Sequence, residues 1–276
     1  MSNFYCEETK MDRCFGGKTW EEAAASLTGN EVIIVPLGAF EQHGPHLPLD
    51  TDTRTASKLG ELAVQAAAEK GVQAYVTPTI WTGVSPYHMD FCGTITISAE
   101  TLTALIVDVC RSLSKHGFSR IFLLNSHGGN VGAMRVAMQK LFYEYGGRVV
   151  SSSHWDFSVE FMREWRDSGL GGIIHACEME TSLMQYLYPE AVRDDKIKDH
   201  VWFPAGGYFS GDLTVGGKVI TCFEQNEITK SGVMGAPSLA SAEKGRELTN
   251  HLVEKISDFL VYYSKLDMKK MLGQEL

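Results

Sequence analysis

Glu31–Leu37 reads EVIIVPL and runs directly into Gly38–Asp52, GAFEQHGPHLPLDTD. The first stretch is β-branched and almost wholly apolar, the pattern of a strand covered on both faces. The second switches abruptly to carboxylates, imidazoles, glycine and proline. In open α/β sheets ligands bind beyond the carboxyl ends of the strands. The switch at Leu37 therefore predicts both a buried parallel strand and a functional loop at its end.

The same alternation continues along the chain. Gln73–Ile80 (QAYVTPTI), Ser119–Leu124 (SRIFLL) and Arg148–Ser152 read as further strands. Helical spacing covers Thr55–Lys70, Ala99–His116 and Val131–Tyr145. A further helix begins near His175 and continues through Thr181–Leu187, and a long amphipathic one covers Ser238–Tyr263. Strands alternating with helices predict an α/β fold with a mostly parallel sheet. No linker divides the chain, so one domain spanning 1–276 is expected. Residues 200–236 are Gly-rich and irregular and read as a long active-site or subunit-contact loop.

The 276 residues are 44% hydrophobic and 21% charged, enough for a large core without disulfide staples. Thirty-four acids against 25 bases argue against a nucleic-acid partner, which would need clustered Lys and Arg. No apolar run approaches the roughly 18 residues of a membrane span, and Met1–Asn30 lacks the apolar stretch of a secretory signal. The six cysteines form no C-x-x-C pair. Several read as buried free thiols, which fits a reducing, cytoplasmic setting.

Three polar segments carry the chemistry. In the first, Glu41 and His43 are two apart and point the same way on extended chain. A carboxylate beside an imidazole suits zinc or manganese. Asp52 lies further along that loop, and its two oxygens can bridge two cations. The blander alternative is a surface turn with Asp50 or Asp52 capping a helix. In the second, His127 within Asn125–Asn130 (NSHGGN) follows a strand, and Gly128 and Gly129 allow close backbone approach at a helix start. The third, His175–Ser182 (HACEMETS), offers His175, Glu178 and Glu180; one acid could serve the helix dipole, but two acids and a histidine exceed that need. Together these residues supply metal ligands, a base for water and an acid for a leaving nitrogen, which is a complete set for amide hydrolysis.

The chain resembles the creatininase (creatinine amidohydrolase) family. The matching pieces are VPLGAFEQHGPHLPLDTD (Val35–Asp52), HMDFCGT (His88–Thr94), LLNSHGGN (Leu123–Asn130), SHWDF (Ser153–Phe157) and HACEMETSLM (His175–Met184). The resemblance implies a three-layer α/β/α sandwich with a mostly parallel central sheet, and two divalent ions per chain, Zn or Mn with Fe as a third choice. It implies a homo-oligomer, often a hexamer, acting on a small molecule. Glu41, His43, Asp52, His127 and Glu180 match as metal ligands, with Asp52 bridging, and His175 as acid/base. Ser85, His88, Trp155 and Gly128 fall where the substrate is faced. Creatinine-specific enzymes tend to carry H-Y-E-N where this chain has His127-Gly128-Gly129-Asn130, and a boxing tryptophan where it has Gly171. Glu178 is expected to make up the missing carboxylate, sharing ligand and base roles with Glu180. The resulting expectation is a dinuclear amidohydrolase for a small cyclic amide, lactam or formamide. The alternatives are creatinine hydrolysis proper and a non-catalytic, regulatory metal- or ligand-binding homologue.

Overall fold

In the computed structural model, which describes residues 12–206 and 208–272, the strand read at the outset forms β1 (Val32–Leu37), with every residue buried. After a short helix α1 (Trp20–Ala25) and β1 come α2 (Thr51–Glu69), β2 (Ala74–Val76), α3 (Ala99–Lys115), β3 (Arg120–Asn125), α4 (Asn130–Tyr145) and β4 (Val149–Ser153). The four strands form a parallel sheet in the order β2-β1-β3-β4. Residues on β1 and β3 divide by parity. Val32, Ile34, Phe122 and Leu124 pack against α2 and two later helices, α6 (Glu178–Leu187) and α8 (Ala242–Lys265). Ile33, Val35, Leu37, Ile121 and Leu123 pack against α3 and α4. Helices thus cover both faces, as the uninterrupted apolar strands require, and each fully buried large side chain contributes about 1.5–3 kcal/mol.

Four boundaries differ from expectation. β2 is shorter than Gln73–Ile80 because Pro78 has no N–H to continue the ladder, although Thr77 and Ile80 still donate to the Ile34 and Pro36 carbonyls. α2 starts at Thr51, so Asp52 stands in its first turn rather than in the preceding loop. His175 does not begin a helix; it ends β5 (Ile173–His175), which pairs antiparallel with β6 (Met234–Gly235) across a long sequence separation. α8 begins at Ala242 because the Ser241 hydroxyl caps it through the Lys244 amide. Between them, α5 (Val159–Trp165) and α7 (Gln225–Ile228) are short.

The cysteine reading holds in part. Cys14 is disulfide-bonded; Cys110 and Cys177 are free and buried, while Cys92 and Cys222 are free and exposed. Cys6 lies outside the described residues. Among the described residues no helix is long and apolar enough to cross a membrane.

The register sets the location of the site. Leu37, Asn125 and Ser153 are neighbours at the carboxyl ends of β1, β3 and β4. The segments that follow them emerge together at one edge of the sheet, which is where such folds bind ligands.

Candidate metal centre

At that edge Glu41, His43, Asp52, His127, His175 and Glu180 converge. Glu41 and His43 come from the loop after β1, and Asp52 projects from the first turn of α2. Asn125 shapes the loop carrying His127: its side chain donates to the His127 carbonyl (2.7 Å) and accepts from the His127 amide (3.2 Å). Asn130 ties that loop down by donating to the Gly38 carbonyl and accepting from the Val84 amide. Between β5 and α6 the backbone turns at Ala176, whose φ of 49° is left-handed. Such a conformation costs a non-glycine residue about 1 kcal/mol or more and tends to persist where function holds it in place. On α6 one oxygen of Glu180 accepts from the Cys177 amide (3.3 Å), leaving the other to face His43 at 3.8 Å.

Two groups of candidate ligands share one residue. Glu41, Asp52 and His127 form the first, with Glu41 Oε1 and Asp52 Oδ2 each 3.3 Å from His127 Nδ1. His43, Asp52 and Glu180 form the second, with Asp52 Oδ1 3.2 Å from His43 Nε2. His175 joins Glu41 and His43 in a third grouping. Both Glu41 oxygens, Asp52 Oδ2 and His43 Nε2 are buried with no hydrogen-bond partner. Native proteins seldom leave carboxylate oxygens in that condition, because an unpaired buried polar atom costs about 1–3 kcal/mol and a charged one more. Mixed oxygen and nitrogen donors in a dry, acidic cluster fit divalent transition ions.

The protons in the centre follow the same charge pattern. Burial opposes a charge on His43, but Asp52, Glu180 and Glu41 outweigh it and push its pKa up to about 10. His127 is raised as well, against burial, chiefly by Glu41. Burial lifts Glu180 to about 7 despite His43. His175 is driven well below the usual histidine range by burial and by His43 and His88. His43 is raised above its unfolded value, so its charge stabilises the metal-free fold most below pH 6.5, and that contribution is lost as pH rises through about 10. A cation must displace these protons. Zinc binding measured calorimetrically at pH 7 in buffers of different ionisation enthalpy should release roughly two protons, with affinity rising with pH. Release near zero would mean that His43 and His127 are not ligands.

The other expected positions behave differently. His88 faces Glu41 Oε1 at 3.3 Å and joins the centre, whereas Ser85 is buried with its hydroxyl 3.2 Å from His127 Nε2, the ring nitrogen turned away from the cluster. Gly128 has open space where a Cβ would stand, whereas a Cβ on Gly129 would lie 2.0 Å from the Val84 carbonyl oxygen and 2.8 Å from the Tyr87 hydroxyl. The close backbone approach expected of Gly129 is to the Val84 carbonyl, where two loops pack. Trp155 is half-buried, packed against the core and edge-on to His154. Glu178 is not brought to the centre. Its carboxylate accepts from the Asp167 and Ser168 amides and from the Lys244 ammonium of α8, which corrects the expectation that it shares ligand and base roles with Glu180.

Sequence reasoning gave no role to Gln42, Tyr87 or His46. His46 Nε2 contacts the Thr181 hydroxyl at 2.9 Å and so ties the first loop to α6 beside Glu180. The long irregular segment reaches the centre through Gly232, whose carbonyl accepts from the Gln42 side chain.

Comparison with known proteins identifies the family. The family described as creatinine amidohydrolase matches residues 17–260. A mycofactocin precursor peptide peptidase of Mycobacterium ulcerans is 34% identical over 80% of this chain and 81% of its own. The creatinine amidohydrolase of Pseudomonas putida is 30% identical over 88% and 94%. A zinc form of a creatininase variant superposes with a TM-score of 0.76 at 27% identity, covering 91% of this chain and 98% of that one. Related solved structures include a manganese form.

Proposed function

From the premise that the chain belongs to the creatininase family of C–N hydrolases, we propose that it is a metal-dependent amidohydrolase whose substrate is an open-chain, peptide-like amide. The observation that carries this reading is Asp52, whose two oxygens face His43 on one side and His127 on the other. Glu41, Asp52 and His127 would hold one ion, and His43, Asp52 and Glu180 a second. Divalent ions held there supply Lewis acidity toward an amide carbonyl and acidify water. The protein excludes bulk water from the ligands, since Glu41 and His43 are fully buried. His175 turns Nδ1 toward Glu41 at 3.7 Å while a backbone carbonyl fixes Nε2, so it can take a proton from the attacking water and return it to the leaving nitrogen.

The preference for an open-chain amide over creatinine rests on Gly171. Its φ is +84°, and a Cβ there would stand 2.5 Å from the Trp202 carbonyl oxygen. No tryptophan can occupy that position to box a flat ring. The mycofactocin relative is named for a peptide substrate, which supports the same direction. The test is a panel of short peptides, formamides, lactams and creatinine offered to zinc- and manganese-loaded protein. Turnover of peptides or other linear amides well above creatinine is expected, abolished by chelation. Creatinine as the best substrate would reject the substrate class, and turnover unaffected by chelation would reject metal dependence.

A further inference from the structure

The histidines of the centre do not all present the same kind of atom to it. His43 has Nδ1 3.1 Å from the Glu41 carbonyl oxygen and turns Nε2 inward. His127 has Nε2 3.0 Å from the Val84 carbonyl oxygen and turns Nδ1 inward. His175 has Nε2 2.8 Å from the Gln42 carbonyl oxygen and turns Nδ1 inward. A carbonyl oxygen only accepts, so each outer nitrogen carries a hydrogen and each inner nitrogen can offer a lone pair to a cation. This is the usual outer-shell arrangement of ligating histidines.

His88 reverses the pattern. Its outer Nδ1 lies 2.9 Å from the side-chain nitrogen of Gln42, and its inner Nε2 faces Glu41. The orientation of the Gln42 amide is fixed twice. Its oxygen accepts from the Gly44 amide (2.9 Å), and its nitrogen donates to the Gly232 carbonyl (3.0 Å). Flipping it would set donor against donor and acceptor against acceptor. The amide has two hydrogens, and Gly232 takes one. The other goes to His88 Nδ1, because His175 Nε2, also 2.9 Å away, already carries a hydrogen committed to the Gln42 carbonyl. A histidine that accepts at Nδ1 carries its hydrogen at Nε2. His88 thus points an N–H into the centre where the other three can point a lone pair.

We infer that Gln42 is a positioning residue that makes His88 the N–H donor of the centre rather than a ligand, and that this N–H binds the oxygen of the scissile amide as charge develops on it. Three further observations agree. Among the described residues none of the candidate ligand groups includes His88. Glu41 Oε1, though 3.3 Å from His88 Nε2, has no aligned hydrogen bond, so the donor is not consumed there. The ring is 1% exposed and sits between the Tyr87 and His175 rings, with centroids 4.6 and 4.5 Å away, so the donor is held in a dry, fixed position. Preorganised donors of this kind act most strongly where water is excluded. The inference rests on the amide-hydrolysis reading only for the identity of the bound oxygen.

The test begins with metal-free protein carrying ¹⁵N-labelled histidine, read by long-range ¹H–¹⁵N correlation, with His88 assigned by its loss in His88→Gln. His88 is expected as the Nε2–H tautomer. In Gln42→Met its single tautomer should be lost while His175, held by the backbone of residue 42, stays unchanged. An Nδ1–H tautomer in the wild type, or an unaltered His88 in Gln42→Met, overturns the assignment. With metal restored, His88→Ala should keep wild-type metal content and lose about 10²–10³ in kcat, and His88→Gln, which retains an N–H, should recover part of it. Loss of metal in His88→Ala would make His88 a ligand and overturn the donor role. A wild-type protein with the expected tautomer but inert toward every amide overturns the amide reading and the bound oxygen with it, and leaves the Gln42–His88 pairing intact.

Discussion

Asp52→Ala is expected to remove both metal ions from the protein and to lower kcat/KM by at least about 10³-fold, more than the roughly 10²–10³ of losing a single oriented donor. The argument is geometric. Asp52 belongs to two of the candidate ligand groups, and its oxygens lie 3.2 Å from His43 Nε2 and 3.3 Å from His127 Nδ1. Without it each of these two groups keeps only two donors, too few to compete with water for a divalent ion, and the grouping that lacks Asp52, of Glu41, His43 and His175, depends on the histidine assigned to proton transfer. The matched control is Asp50→Ala. Asp50 precedes the same helix, but its carboxylate pairs with Arg54 at 2.8 Å and takes no part in the cluster. Elemental analysis should show about two ions per chain in wild type and in Asp50→Ala and almost none in Asp52→Ala. Retention of one ion in Asp52→Ala would leave a centre in which Asp52 does not bridge, and retention of both would remove it from the ligand set.

How much of this was legible in the sequence depended on distance along the chain. Glu41, His43 and His127 were readable because each follows a buried strand within a few residues, so the apolar-to-polar switch places them at the sheet edge without tertiary knowledge. Glu178 and Glu180 were not separable by composition. Two residues apart on a helix they diverge by about 200°, so only one can face the centre, and which one depends on where the helix starts. The sequence suggested a start near His175. The observed start at Glu178 follows from β5 pairing with β6, a strand of only two residues far along the chain. Gln42 stayed hidden because its partners, His88, His175 and Gly232, come from three distant segments. Gly129 was legible as a point of close backbone approach, but its partner was not, since the atom that forbids a side chain there belongs to Val84.

Lys244→Met should destabilise the protein by about 3–5 kcal/mol while leaving its metal content unchanged. Glu178 is fully buried, and Lys244 is the cation that meets its carboxylate. Removing the ammonium leaves the Asp167 and Ser168 amides, at 2.9 and 3.1 Å, as the carboxylate's only remaining partners among those observed. Two neutral donors do not replace a cation inside a protein. The ammonium also packs over the Trp165 ring at 4.6 Å, so the change removes a cation–π contact as well. Glu178→Gln should cost less, about 1–3 kcal/mol. Its amide oxygen can still accept from a backbone N–H, and Lys244 keeps Asp167, 2.6 Å away and largely exposed, as a partner. The double variant should be more stable than Lys244→Met alone, because no uncompensated buried charge remains, and its cost minus the sum of the two single-variant costs measures the coupling of the pair. Chemical denaturation of the four proteins, with metal content determined on each, separates two roles for Glu178. If it only fastens α6 to α8, all four bind metal alike. A drop in metal for Glu178→Gln at nearly unchanged stability would instead return this glutamate to the centre, a result that the contacts of its carboxylate with Lys244, Asp167 and Ser168 argue against.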